Sequence, residues 1–189
     1  MPFHSYLTAH SWKSLAIWFL AFVFCGLQNL TAQTNSQLDA EADAAMASAD
    51  VRHKLIMEYE AATNNFHDGR LLAVAVSYGT EAKYNQAIPV YQQFLSAHPD
   101  HAGALRDLGI CYWFLYQYAK ALKPLERAWS MGDVTALITL TRTYLMTSNY
   151  DRIKPLLPSL LQHETNDLGI VYNLMAYANA QKPMDEALF

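Results

Sequence analysis

The sequence predicts an all-α fold, an α-solenoid of antiparallel helix-turn-helix units, on two observations. The chain is self-similar from residue 68 onward, in steps of 34, 32 and 34 residues, and a fixed period of that length marks a stacked-repeat architecture. Within each unit the apolar residues recur three or four apart, the spacing of one face of a helix rather than the alternation of a strand. With 189 residues, 52% of them hydrophobic and 13% aromatic, there is ample material for one core, and a wholly disordered chain is excluded.

The amino terminus reads as an export signal over residues 1–32. A polar stretch carrying Lys13 precedes the apolar run Leu15 to Phe24, then Gly26 and the small residues Thr31 and Ala32. The run is shorter than the roughly 18 apolar residues that span a bilayer. Cleavage after Ala32 is expected, giving an exported chain, periplasmic or secreted, with no stable membrane insertion. An uncleaved anchor tethering the domain is the alternative. Phe24 stands before Cys25 where a lipoprotein signal places a small residue, so lipidation is not expected. Loss of this segment leaves Cys111 as the single cysteine. An intrachain disulfide is then impossible, and packing alone must hold the exported domain together.

Residues 33–48 are small and polar, with no apolar period, and read as a flexible or weakly helical lead-in. Over 49–66 the residues Val51, Leu55, Tyr59 and Ala62 form one apolar stripe on a candidate capping helix. The repeats follow as 68–101, 102–133, 134–167 and a partial fourth over 168–189, about three full units in all. Their first helices share the columns Leu71, Leu105, Leu137, Val171 and Val74, Leu108, Leu140, Leu174. The columns Ala75, Gly109, Thr141, Met175 and Tyr78, Tyr112, Tyr144, Ala178 complete them. Second helices run from Tyr84, Tyr118, Tyr150 and Met184, followed three residues later by Ala87, Ala121, Ile153 and Ala187.

These columns resemble the tetratricopeptide family, whose unit of about 34 residues carries a large residue, Leu-Gly, Tyr, Ala, an aromatic and a terminal Pro. Residues 102–133 are most similar, in Leu105, Leu108, Gly109, Tyr112, Tyr118, Ala121 and Ala128, and the preceding unit adds Tyr78, Tyr84, Ala87, Tyr91 and Pro99. The resemblance covers about 120 residues and implies a right-handed superhelix. Small residues such as Gly109 and Ala121 would let paired helices approach closely. Departures are Thr141 and Met175 in the small column, and Pro89, Pro124, Pro155 and Pro158 within second helices. A proline beyond the first turn removes a hydrogen bond and clashes with the preceding turn, so helices that start late or bend are expected.

Composition and motifs exclude several functions. The formal net charge is −4 with no run of Lys or Arg, which removes the electrostatic footprint of a nucleic-acid binder. There is no glycine-rich phosphate loop, serine elbow or carboxylate pair at fixed spacing. Cys111 precedes Tyr112 on a first helix and reads as packing. His98 and His101 flank Pro99 and Asp100 in a loop where the proline ends one helix and Asp100 caps the next. No catalytic residue, cofactor or metal is expected.

The resemblance implies a non-catalytic interaction module or scaffold whose first helices line a groove for a peptide or partner protein. By position the groove faces hold Leu72 and Val76, then Arg106, Ile110, Trp113 and Phe114. Next come Ile138, Arg142, Leu145 and Met146, with Tyr172 and Asn179 in the fourth unit. Arg106, Trp113 and Arg142 should be accessible and dispensable for folding. The family's carboxylate clamp uses Lys and Asn where this sequence has Arg106 and Ile110, so that clamp is not implied. The fourth unit has 22 residues, which raises two other expectations: a repeat portion presenting a downstream domain of a larger exported protein, or self-association through the uncapped end repeat.

Overall fold

The computed structural model describes residues 34–61, 66 and 68–162, and every regular element among them is helical. Helix α1 covers residues 34–45 and α2 Ala49–Ala61. Three antiparallel pairs follow. The first is α3 (Asp68–Thr80) with α4 (Tyr84–Ala97), and the second is α5 (Ala102–Phe114) with α6 (Tyr118–Ser130). The third joins α7 (Ala136–Met146) to a broken partner, made of α8 (Tyr150–Ile153), a 3-10 turn over Lys154–Leu156, and α9 (Leu157–Gln162). Consecutive helices pack on one another, as in a helical repeat solenoid.

The columns are buried as their period requires. Leu71, Val74, Ala75 and Tyr78 lie inside, as do Leu105, Leu108, Gly109 and their counterparts Leu137, Leu140, Thr141 and Tyr144. Ala87, Ala121 and Ile153 meet them from the second helices with no exposed surface. At Gly109 an added Cβ would fall 2.5 Å from Leu125 Cγ and 3.4 Å from the Ala121 carbonyl. Leu125 is fully buried, so glycine is what lets α5 and α6 approach this closely. In the third unit Thr141 fits the small column because its hydroxyl donates back to the Leu137 carbonyl at 2.9 Å.

The turn inside each pair repeats as faithfully as the core. Ala82, Tyr116 and Ser148, spaced 34 and 32 apart like the columns, all take positive φ, at 57°, 59° and 57°. The next residue's N–H returns to the column tyrosine's carbonyl in each case: Lys83 to Tyr78 at 2.8 Å, Gln117 to Tyr112 at 2.9 Å, Asn149 to Tyr144 at 2.8 Å. This left-handed closure satisfies carbonyls left open at the helix end. None of the three residues is glycine, which is why composition gave no hint of it.

The tyrosine hydroxyls latch each first helix to the helix before it. Tyr78 donates to Glu60 of α2 at 2.9 Å and Tyr144 to Glu126 of α6 at 2.7 Å, while Tyr112 accepts from Gln92 of α4 at 2.9 Å. Helix α2 therefore stands where the second helix of an earlier unit would. It buries Leu55 and Ile56, while Val51, expected in its stripe, is exposed.

Two expectations need correcting. Residues 34–45, read as a flexible or weakly helical lead-in, form a helix that is packed, burying Ala42 and setting Leu38, Ala45 and Met46 against the core. Of the proline-bearing helices, expected to start late or bend, α4 and α6 start at Tyr84 and Tyr118 and run through Pro89 and Pro124 as α-helix. Pro89 would have bonded the carbonyl of Asn85, and both residues are exposed, so water can take that acceptor. In the third unit Pro155 and Pro158 remove two donors within one turn, and there the helix breaks into a 3-10 segment. The export signal at 1–32 and the fourth unit at 168–189 lie outside the described residues.

Candidate functional site

The first-helix face presents a cleft between α3 and α5 of about 250 Å³, lined mainly by Val76, Gly79, Tyr84, Ile110, Cys111 and Phe114. Its walls follow from helical spacing, because Val76 lies beyond the buried Ala75 and Ile110 precedes the buried Cys111. Phe114, 47% exposed, stacks face to face on Tyr84 at 4.8 Å. The floor is polar at one point, where Tyr91 Oη donates to Asp107 at 3.5 Å. Cys111 is buried, and burial pushes its thiol up to about 12. It is therefore held as the neutral thiol, consistent with packing.

Asp107 is central to the face. Burial raises its pKa above the ordinary carboxylate value, and Arg106, donating from Nε at 2.8 Å, opposes that rise. Burial also works against the charge on Arg106, but the carboxylates of Asp107 and Asp133 outweigh it and hold the guanidinium above its ordinary value. Arg106 Nη1 reaches Asp133 at 3.1 Å and Thr135 at 2.9 Å in the loop before α7. This arginine, expected to lie accessible in the groove and to be dispensable, is a tie between α5 and the next unit, with its side chain 29% exposed.

The other expected groove residues divide between cleft and core. Ile110 and Phe114 line the cleft, and Met146 is exposed on α7. Trp113 is half-buried, packs on the core of the second and third pairs, and meets the Phe114 and Tyr118 rings edge to face. Leu145 packs on the same core, and Arg142 and Ile138 are partly buried and engaged. Trp113 is thus a packing residue as well as a groove neighbour, because α5 turns that position toward α6. Tyr172 and Asn179 lie outside the described residues.

Leu72, expected to face the groove, is 2% exposed because α1 covers it. A second, smaller cavity of about 150 Å³ marks that contact, with Asp39, Ala42 and Asp43 of α1 on one wall and Leu72, Gly103 and Arg106 opposite. Sequence reasoning missed α1 because its buried residue is an alanine among acids. The retrospective signal is the spacing Leu38, Ala42, Ala45.

The two loop histidines take separate partners. His101, and not Asp100, caps α5: its Nδ1 accepts from the Ala104 N–H at 3.1 Å. Its Nε2 faces Asp39 of α1 at 3.3 Å, while His98 pairs with Asp68 at 2.8 Å and Asp100 with Arg127. Among the described residues no three His, Cys, Asp or Glu side chains group as a metal site, and none of the helices is long and apolar enough to cross a membrane. No protein-family model matches the chain, and no curated protein matches it.

Proposed function

We propose that the chain is a non-catalytic interaction module of tetratricopeptide type, exported by its amino-terminal segment, which receives a peptide or protein segment on the concave first-helix face. The observation that carries this reading is the α3–α5 cleft, apolar on Val76 and Ile110 and edged by the half-exposed Phe114. Aromatic anchors beside an open apolar slot are the usual seat of interface energy. The repeat columns and the left-handed turns in register support the family resemblance, and the scarcity of free basic side chains on this face argues against a nucleic-acid partner.

Panning a displayed peptide library against the full chain tests it. The selected peptides should lose at least tenfold in affinity for the Ile110→Glu variant, whose charge would sit in the apolar slot. They should bind Lys123→Glu, on the exposed side of α6, within about twofold of the parent. Peptides indifferent to Ile110→Glu would place binding elsewhere and remove the groove reading.

A further inference from the structure

Helix α1 does not sit as the first helix of a regular unit would. It contacts α3, where a Cβ at Gly69 would collide with the Glu41 carboxyl. It also reaches across to the unit beyond: Asn35 donates to the Asp100 carbonyl at 3.1 Å, and Asp39 faces His101. Between these points α1 covers Leu72 and approaches Gly103 and Arg106. It therefore lies across the N-terminal ends of α3 and α5, on the same face that carries the open cleft.

The chemistry of this contact is specific. Residues 34–45 hold Asp39, Glu41 and Asp43 and no basic residue. The surface beneath offers the N-termini of α3 and α5, whose dipoles favour negative charge, beside the Arg106 guanidinium, which is already paired with Asp107 and Asp133. His101 adds an independent polar group. It is 1% exposed, and the Nδ1 bond from Ala104 fixes its neutral tautomer with the proton on Nε2. That Nε2 is buried and aimed at Asp39, within ion-pair reach yet not aligned as a hydrogen bond.

The grip is shallow. Ala42 is the buried hydrophobic residue of α1, and Leu38 and Ala45 are only partly covered. Segments with few buried apolar contacts open at the lowest free-energy cost.

We infer that the concave surface is built to take an acidic, alanine-rich helix across the N-termini of α3 and α5, that α1 is its resident occupant, and that a partner helix of the same chemistry binds by displacing α1. This rests on the groove reading proposed above. The occupant accounts for the half of the face that is closed, and the cleft at Ile110 and Phe114 is the half left open for first contact.

The probe is a fluorescein-labelled peptide of residues 34–46, added to the full chain and followed by fluorescence polarisation. Ala42→Arg in the chain should evict α1 without touching the surface it leaves, so this variant should bind the peptide at least tenfold tighter than the parent. A labelled peptide carrying the same substitution should not bind. Asp39→Lys with Asp43→Lys alters only the charged side of α1 and should give the same gain, so the test survives if Ala42→Arg fails to fold. If folded variants of both kinds bind the peptide no better than the parent, α1 is not a displaceable occupant and the inference is overturned. Library peptides that depend on Ile110 yet bind parent and Ala42→Arg equally would overturn displacement while the groove reading stands. A library yielding no such peptide would overturn the groove reading itself, and the partner with it.

Discussion

His101 shows how one side chain can fix both a helix start and a tertiary contact. Its Nδ1 must stay unprotonated to accept from Ala104, and burial pushes the imidazole pKa below its ordinary 6.5. Asp39 pulls the other way, His98 adds to the depression, and Asp107 is the remaining charge acting on the ring. The unfolded chain therefore binds the proton more readily than the folded one. Stability should be fully present above about pH 6.5 and decline as pH falls toward the folded-state value. Melting followed from pH 7.5 to 5.5 should show this decline, and His101→Asn, which keeps a capping acceptor, should flatten it. Equal slopes in both proteins would mean that other groups carry the pH dependence. The role was not legible in the sequence, where Asp100 is the better capping residue by type. The loop instead turns Asp100 outward to Arg127. The left-handed turn residues were hidden for a similar reason, since Ala82, Tyr116 and Ser148 are forced into positive φ by helices on both sides.

At the scale of the element, the prolines separate local preference from tertiary demand. A proline in a helix interior costs about 3 kcal/mol relative to alanine, yet α4 stays one continuous helix through Pro89, with Tyr91 and Phe94 beyond it buried and anchoring the second half. Pro89→Ala restores the donor to Asn85. It should raise stability by about 2 kcal/mol once the looser unfolded chain is allowed for. Pro158→Ala, in the first turn of α9 where proline is tolerated, should change it by less than about 0.5 kcal/mol. Urea midpoints at constant m separate the two cases, and similar gains at both sites would mean that Pro89 is not strained. Helix starts and partners in α3–α7 were legible because large apolar residues repeat there. Helix α1 was not, because its apolar spacing is carried by Leu38 and two alanines, too small a signal to stand out among the acids.

At the scale of the molecule, the described residues gather into two hydrophobic clusters that meet at α5. The first gathers α1–α4 with Ala104, Leu108 and Cys111 of α5, and the second gathers Leu105 of α5 with α6–α9. Helix α5 belongs to both, and Leu95 and Tyr112 pack against both clusters. A stack of this kind is stabilised by its units and by nearest-neighbour interfaces, so its cooperativity depends on the α4–α5 junction. This is also why the site was only half legible. The columns that repeat define the cores, whereas groove residues need not repeat, and the ties of Arg106 to Asp133 and Thr135 come from a loop no period could assign. Removing the shared side chains should uncouple the halves. The parent should unfold in one urea transition, with tryptophan fluorescence and far-ultraviolet circular dichroism coincident. Tyr112→Ala with Leu95→Ala deletes the bridging surface, along with the Gln92 hydrogen bond, but leaves each cluster's fully buried residues in place. In that double variant, made without residues 1–32 so that Trp113 and Trp129 of the second cluster are the remaining tryptophans, fluorescence should part from the helical signal, and the apparent m value should fall. A variant that is merely less stable, with coincident curves and unchanged m, would mean that α5 itself carries the coupling through its backbone, and that the two clusters fold as one.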